Sequence, residues 1–85
     1  MIMFYVYIIQ SQKDGKLYKG FTSNVEKRVK AHNRGEVKST RNRKPFELVY
    51  QEEYKSKEDA LKREKFLKSF EGGKTLKIKL NIAPR

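Results

Sequence analysis

The chain has 85 residues, of which 36% are apolar, and it carries a formal net charge of +11. This length predicts one domain (residues 1–85) with a small core, and the charge predicts attraction to a polyanion, with nucleic acid ahead of an anionic membrane surface. The absence of cysteine excludes disulfides and thiolate metal sites, and one histidine cannot build a zinc centre. Residues 1–9 are apolar but lack a basic leader and are too short to span a bilayer, so we expect a cytoplasmic protein.

The first predicted elements are two strands joined by a turn. Residues 4–9 are rich in aromatic and β-branched side chains, which is typical of a buried strand. Asp14-Gly15 is a strong hairpin-turn dipeptide. A second, antiparallel strand is therefore expected over about residues 16–21.

A helix and a cationic loop are predicted next. Ser23, with Glu26 three residues later, has the spacing of a capping box and predicts the start of the helix. Gly35 is a natural residue just beyond a helix end. Residues 36–45 contain four basic side chains, a proline and no hydrophobic periodicity, so they are expected to form a cationic loop.

The second half of the chain repeats the strand and helix pattern. Residues 46–54 have strand character, and Ser56 with Asp59 gives another capping signature that opens a second helix. This helix is expected to run to about Phe70 and to stop at Gly72-Gly73. The tail is ambiguous, because its apolar residues alternate as in a strand while two of them also fit one face of a short helix. These apolar residues are Leu76, Ile78, Leu80 and Ile82. The order predicts an α+β domain with an antiparallel sheet.

Two polar residues lie on the core-facing side of the first predicted helix. At about 100 degrees per residue, Arg28 and His32 fall in the same arc as Val25 and Val29, and one is stacked a turn above the other. The functional interpretation is a site at the rim of the core. The structural alternative is that Arg28 extends its stem over the core edge and His32 is a satisfied, half-buried residue.

A carboxylate lies on the apolar face of the second predicted helix. Glu64 is near the middle of this face, whose apolar members are Ala60, Leu61 and Leu67. A buried carboxylate is costly unless it is paired or holds a metal. The alternatives are an ion pair with Arg28, a helix rotated so that Phe66 and Phe70 face inward, or a magnesium ion, which needs only one or two protein oxygens.

Two tyrosines lie on the adjacent predicted strands and can share one face of the sheet. Each of Tyr7 and Tyr18 alone is an ordinary strand residue, but buried hydroxyls need partners. Two phenols opposite a helix rim that bears Arg28 and His32 are harder to explain by packing alone. Gly20, placed after the second predicted strand, would allow the backbone or a phosphate to come close.

These residues carry a resemblance to a known family. Their spacing is similar to that of the GIY-YIG endonuclease superfamily, and more closely to its small stand-alone bacterial members. The residues that carry it are Tyr5-Val6-Tyr7, Tyr18-Lys19-Gly20, Arg28, His32 and Glu64. Further matching stretches are Asp14-Gly15-Lys16-Leu17-Tyr18, His32-Asn33-Arg34-Gly35, Leu48-Val49-Tyr50 and Arg63-Glu64-Lys65-Phe66-Leu67-Lys68-Ser69, so that the likeness covers essentially the whole chain. Tyr5 replaces the first glycine of the family name, and Lys19 replaces an apolar residue but points away from Tyr18.

The resemblance implies both a fold and a site. The implied fold is a three-stranded antiparallel sheet flanked by helices, in the order β-β-α-β-α-α, with a short third helix from about Lys74. The implied catalytic surface consists of Tyr7, Tyr18, Arg28 and His32. The resemblance assigns Glu64 to a divalent metal, Mg²⁺ or Mn²⁺.

The sequence therefore predicts a metal-dependent endonuclease that hydrolyses DNA, with RNA not excluded as a substrate and with structural or weak selectivity. Backbone phosphates would be held by Lys27, Lys30, Lys38, Arg41, Arg43 and Lys44, contacts that carry affinity without sequence information. One alternative is a non-catalytic nucleic-acid-binding module that retains the nuclease fold. Another is a small RNA- or ribosome-associated basic protein, which explains the charge but not Glu64. No membrane partner is expected, and the oligomeric state is left open.

Overall fold

A three-stranded antiparallel sheet forms the centre of the molecule. The computed structural model describes residues 2–80, and its strands are β1 (Phe4–Ser11), β2 (Leu17–Thr22) and β3 (Phe46–Tyr54). The strand order is β2-β1-β3, and both pairings are antiparallel. Residues 6–9 of the central strand are all buried, because both faces of β1 are covered. This accounts for its unbroken run of aromatic and β-branched residues.

Three α-helices flank the sheet, as the predicted order requires. They are α1 (Val25–Asn33), α2 (Lys57–Lys68) and α3 (Phe70–Lys79), and a short 3₁₀ helix covers Arg41–Arg43. The predicted α+β class and the order β-β-α-β-α-α are confirmed. The predicted turn is also present, with Gly15 at φ 72° and its N–H donating to the Ser11 carbonyl oxygen at 2.8 Å.

Each face of the sheet carries its own apolar cluster. On one face, Val6 and Ile8 pack against α2 and α3, whose buried members are Ala60, Leu67 and Leu76. On the other face, Tyr7, Ile9 and Phe46 pack against the valines of α1 and against Tyr18. Since neighbouring strand residues point to opposite faces, Tyr7 and its even-numbered neighbours belong to different clusters.

The start of α1 differs from the prediction by one residue. Asn24, not Ser23, is the N-cap, and its side chain accepts a hydrogen bond from the Lys27 N–H at 3.0 Å. Both residue types are good N-caps, but β2 continues to Thr22, and the Thr22 hydroxyl accepts from the Asn24 N–H at 3.2 Å. The strand end and the helix cap are therefore linked, which local spacing does not reveal.

The end of α2 was also predicted wrongly. The helix stops at Lys68, and Gly72-Gly73 lie inside α3 rather than ending α2. Ser69 has extended backbone angles, and its hydroxyl accepts from the Gly72 N–H at 3.1 Å. A Cβ on Gly72 would collide with the Phe66 carbonyl oxygen. The glycine is needed for the close approach of α3 to the end of α2.

The tail is helical, as the resemblance implied. α3 begins at Phe70, earlier than the predicted start near Lys74. Leu76 is buried in the cluster beneath α2, and Leu80 packs against it. Leu76 and Leu80, two of the alternating apolar residues, therefore share one helical face, and the last of them, Ile82, lies outside the described residues.

Candidate active site

Tyr7 lies across β2, above a glycine. Tyr7 and Gly20 are opposite each other in the β1–β2 register, and a Cβ on Gly20 would be 2.5 Å from the Tyr7 hydroxyl oxygen. Gly20 lies inside β2 rather than after it, and the group that comes close to it is the Tyr7 ring rather than backbone. Only glycine leaves room at this position for the phenol to reach α1.

The Tyr7 hydroxyl meets two side chains of α1. Its oxygen is 2.8 Å from His32 Nε2, and Arg28 Nε donates to it at 3.4 Å. Burial raises the pKa of Tyr7, whereas the hydrogen bond from Arg28 lowers it, and the nearby Tyr18 raises it further. The rise prevails, so Tyr7 is a neutral phenol in the resting protein.

His32 is enclosed by aromatic rings and fully buried. Its ring centroid is 5.7 Å from that of Tyr7, 5.0 Å from that of Tyr18 and 5.8 Å from that of Phe46. Burial, with a smaller contribution from the Arg28 charge, lowers the pKa of His32 to about 4. At neutral pH the imidazole is therefore uncharged, with one nitrogen protonated and the other able to accept.

Tyr18 packs next to Tyr7 and His32 but does not take part in their hydrogen bonds. Its ring is half-buried and its centroid lies 6.4 Å from that of Tyr7. Within residues 2–80 its hydroxyl has no hydrogen-bond partner, unlike that of Tyr7. The structure thus brings four of the five predicted site residues together: Tyr7, Tyr18, Arg28 and His32.

Three residues around His32 were not predicted as part of the site. His32 Nδ1 is 2.8 Å from the Thr40 hydroxyl. The Asn33 side chain bridges to β3, accepting from the Phe46 N–H at 2.6 Å and donating to the Phe46 carbonyl at 3.1 Å. Asn33 could have been suspected as a polar residue at a helix end, but no sequence pattern indicates where a loop hydroxyl such as Thr40 will lie.

Glu64, the fifth predicted residue, is at the edge of the buried face of α2. Its side chain is 20% exposed, and its nearest cation is Lys68 at 3.5 Å, not Arg28. The stripe that faces the core consists of Ala60 and Leu67. Leu61 was predicted to share this stripe but is 40% exposed. Phe66, which would face inward in the rotated alternative, is 42% exposed, so both predictions are wrong for these residues. Leu61 is rotated about 100° around the helix axis from Ala60, which places its side chain outside the face that packs on the core.

An ion pair next to Glu64 joins α2 to β3. Arg63 donates to both carboxylate oxygens of Glu52 on β3, at 2.8 and 3.1 Å. Burial alone would raise the pKa of Glu52, but hydrogen bonds from Arg63, Tyr50 and Tyr54 outweigh it and hold the pKa at about 2. In this position the Glu64 charge acts on Tyr7, whose pKa it helps to raise.

The donor set suits a weakly held divalent ion. Among residues 2–80 there is no group of three or more histidine, cysteine or acidic side chains that could form a metal cage. A single carboxylate such as Glu64 matches magnesium, which keeps several waters and shares its coordination with substrate phosphates. The residues therefore fit an ion that is bound mainly together with a phosphate.

The predicted phosphate-binding cations are not equivalent. Five of them are exposed: Lys27, Lys30, Lys38, Arg41 and Lys44. Lys30 pairs with Glu26 at 3.1 Å. Glu26 belongs to the predicted capping box, which is not formed because Asn24 rather than Ser23 is the N-cap. Arg43 differs, because its side chain is only 28% exposed and its Nε donates to Asp14 at 3.1 Å.

The fold and the site together define a small α+β catalytic domain of the GIY-YIG type. The model of the GIY-YIG catalytic domain matches residues 3–77, and the chain belongs to this family. It is 47% identical over 75 residues to a UPF0213 protein of Staphylococcus saprophyticus, covering 87% of this chain and 90% of that protein. A UPF0213 protein of Staphylococcus haemolyticus is 46% identical over 79 residues, covering 92% and 95% of the two chains.

A solved structure has the same fold. The solution NMR structure of the UPF0213 protein BH0048 from Bacillus halodurans superposes with a TM-score of 0.57 at 37% identity, covering 98% of this chain and 89% of that one. GIY-YIG catalytic domains are nuclease domains, so the family indicates a nucleic acid as the substrate class. No helix within the described residues has the length and apolar character needed to cross a membrane.

Proposed function

We propose that the protein is a single-domain, magnesium-dependent endonuclease that hydrolyses DNA phosphodiester bonds by in-line attack of water. The observation that carries this proposal is the Tyr7 hydroxyl, which lies within hydrogen-bond distance of both Arg28 and His32. The predicted location is the cytoplasm. Because phosphate contacts carry no sequence information, cleavage is expected to be structure-selective or only weakly selective.

Tyr7 is the residue that orients and deprotonates the attacking water. A phenol with a pKa near 10 is a poor base at neutral pH unless its neighbours favour loss of the proton. Burial raises the pKa of Tyr7 overall, but the hydrogen bond from Arg28 lowers it, and His32 Nε2 lies 2.8 Å from the hydroxyl, where it can take the phenolic proton. Tyr18 makes no hydrogen bond in the described part of the chain. Tyr18, with its half-exposed ring, is assigned to contacts with the water or the phosphate.

Arg28 binds the phosphate oxygens as they gain charge. Its Nε is directed at Tyr7, which leaves the two terminal nitrogens of the guanidinium for the substrate. A planar fork of donors suits the non-bridging oxygens of a phosphoryl group. Arg28 therefore links the residue that activates water to the phosphorus that the water attacks.

Glu64 is the residue that would hold the divalent ion. When bound, such an ion neutralises charge that develops on the scissile phosphate and on the leaving 3′ oxygen. The half-buried position of Glu64 and its electrostatic effect on Tyr7 support this assignment. The exposed cations of α1 and of the cationic loop (residues 36–45) would hold the flanking phosphates.

The test is cleavage of branched, single-stranded and duplex DNA, and of RNA, by the purified protein with Mg²⁺, Mn²⁺ or EDTA. Glu64→Gln should abolish cleavage while DNA affinity, measured in EDTA, stays equal or rises slightly, because a negative charge is removed. Glu58→Gln, at an exposed carboxylate of the same helix, is the matched control and should cleave normally. Retained activity in Glu64→Gln would remove Glu64 from the site, and metal-independent binding without any cleavage would favour the non-catalytic module.

A further inference from the structure

The hydroxyl of Thr40 is a buried polar group to which the proposed function assigns no role. Thr40 lies in the cationic loop and is fully buried. Its hydroxyl oxygen is 2.8 Å from His32 Nδ1 and also lies 3.4 Å from the Val37 carbonyl oxygen. The loop therefore does more than carry exposed cations, because one of its side chains contacts the histidine of the site.

The hydrogen bonds around His32 distinguish its two neutral tautomers. If Nδ1 carries the proton, it donates to the Thr40 hydroxyl, which in turn donates to the Val37 carbonyl. The Tyr7 hydroxyl then donates to Nε2 and accepts from Arg28 Nε. Every donor in this series of hydrogen bonds has an acceptor. The series ends on the Val37 carbonyl, which can only accept.

The other tautomer leaves the Tyr7 proton without a partner within residues 2–80. If Nε2 carries the proton, both His32 and Arg28 donate to Tyr7, and the Thr40 hydroxyl turns to Nδ1. The Tyr7 O–H then has no acceptor anywhere in residues 2–80, although Tyr7 is only 1% exposed. Buried hydroxyl groups are rarely left unpaired, so the first tautomer is favoured.

We propose that Thr40 is a positioning residue that holds His32 in the Nδ1–H tautomer, so that Tyr7 donates its phenolic proton to Nε2. The catalytic consequence rests on the proposed endonuclease function, whereas the tautomer itself does not. Thr40 acts through His32, since which ring nitrogen is protonated depends on the partner of the other one.

This arrangement makes Tyr7 an acceptor toward the substrate. With its proton directed to Nε2 and one lone pair facing Arg28, the phenol oxygen has a second lone pair that can accept a proton from water. As the water oxygen bonds to phosphorus, its proton passes to Tyr7 and the Tyr7 proton passes to Nε2. The P–O bond breaks with its electron pair on the 3′ oxygen, which takes a proton from solvent. The proton on Nε2 then returns to the Tyr7 oxygen as Tyr7 releases the proton that it took from the water.

The direct test is nitrogen-15 NMR of the imidazole, which is unambiguous because the chain has one histidine. At pH 7 the wild-type protein should have the proton on Nδ1, and so should Thr40→Ser, which keeps the hydroxyl. Thr40→Val keeps the shape and removes the acceptor, and it should shift the population toward Nε2–H. Thr75→Val, at an exposed threonine of α3, is the control for loss of a hydroxyl elsewhere.

Two results would overturn the inference: an Nε2–H tautomer in the wild-type protein, or an unchanged tautomer in Thr40→Val. The first result does not depend on whether a variant folds. In cleavage assays Thr40→Val should lose roughly tenfold to a hundredfold in rate, as when the partner that orients a functional histidine is removed, and Thr40→Ser should retain most of it. If the wild-type protein cleaves nothing, the proposed function fails while the tautomer is still measured. Cleavage by wild-type protein in the Nε2–H form would refute only the inference.

Discussion

At the scale of single residues, the site depends on how one phenol is placed. Tyr7 is on the central strand, so its backbone is held by two neighbouring strands, and Gly20 leaves room for its ring above β2. Arg28 and His32 reach its hydroxyl from consecutive turns of α1. The rigid elements thus determine the distances between the polar groups, which is what precise positioning of a catalytic group requires.

Arg28→Lys separates a packing role from a phosphate-binding role. Lysine keeps the charge and the aliphatic stem but lacks the fork, so cleavage should fall by roughly 10²–10³. The melting temperature should change by only a few degrees, because the residue is at the rim of the core. The rate of single-turnover cleavage and the melting temperature are both measured for the variant and for the wild-type protein.

Arg34→Lys is the control for this change, since Arg34 is an exposed arginine just beyond α1 that pairs with Glu36. It should cleave like the wild-type protein. Cleavage by Arg28→Lys at nearly the wild-type rate would mean that Arg28 has a structural role and does not bind the phosphate.

At the scale of elements, the cationic loop is anchored at both ends and in the middle. Asn33 and Phe46 join its two ends, Thr40 contacts His32, and the Ser11 hydroxyl donates to the Arg43 carbonyl at 2.5 Å. The exposed cations therefore project from a fixed backbone. Arg43 contributes to the anchoring through Asp14, and so the loop divides its basic residues between structure and surface.

Neutralising the exposed loop cations should weaken DNA binding and its salt dependence. Lys38→Gln, Arg41→Gln and Lys44→Gln combined should lower the slope of log K against log salt by up to about 0.9 for each duplex phosphate that the protein no longer neutralises. Binding is measured in EDTA over a range of salt concentrations, so that no cleavage occurs. Arg43→Gln is expected to reduce thermal stability more than any single one of these changes, because its side chain is half-buried and paired.

The control removes three positive charges from exposed lysines outside the loop: Lys55, Lys62 and Lys65. This variant should change the slope less than the loop variant does. Equal slopes in the two variants would mean that net charge, and not the loop, accounts for the binding, and an unchanged slope in the loop variant would place the DNA path elsewhere.

At the scale of the whole molecule, the buried histidine links stability to pH. Its pKa is about 4 in the folded protein and about 6.5 in an unfolded chain. A base whose folded pKa is depressed stabilises the fold fully above pH 6.5, and this contribution declines as the pH falls toward 4. Between pH 7.5 and 5 the loss should be about 2 kcal/mol, or roughly 10 °C in melting temperature for a domain of this size.

This window isolates His32 from the acidic groups. Glu52, whose folded pKa is about 2, loses its contribution only as the pH falls below the unfolded value of about 4.3. His32→Gln is the comparison variant, and its melting temperature should be nearly flat from pH 7.5 to 5 even if it is lower throughout. A wild-type curve as flat as that of the variant would contradict the depressed pKa.

Several features of the protein follow from local patterns in the sequence. The β-branched run of β1, the Asp14-Gly15 turn and the Ser56 cap each act over a few residues, so strand and helix order could be predicted from them. The identities and spacing of Tyr7, Tyr18, Arg28 and His32 pointed to one site, because strand alternation and the helical repeat relate residues on the same or adjacent elements.

The tertiary structure decided the contacts between segments that are distant in the chain. Arg43 pairs with Asp14, Thr40 reaches His32, and Gly72 serves the approach of α3 to α2 instead of ending α2. These outcomes depend on the path of a loop and on the packing of two helices, which involve many weak interactions at once and leave no local pattern. The residue types that can do the chemistry were therefore readable in the sequence, whereas the partner that sets the His32 proton was determined only by the fold.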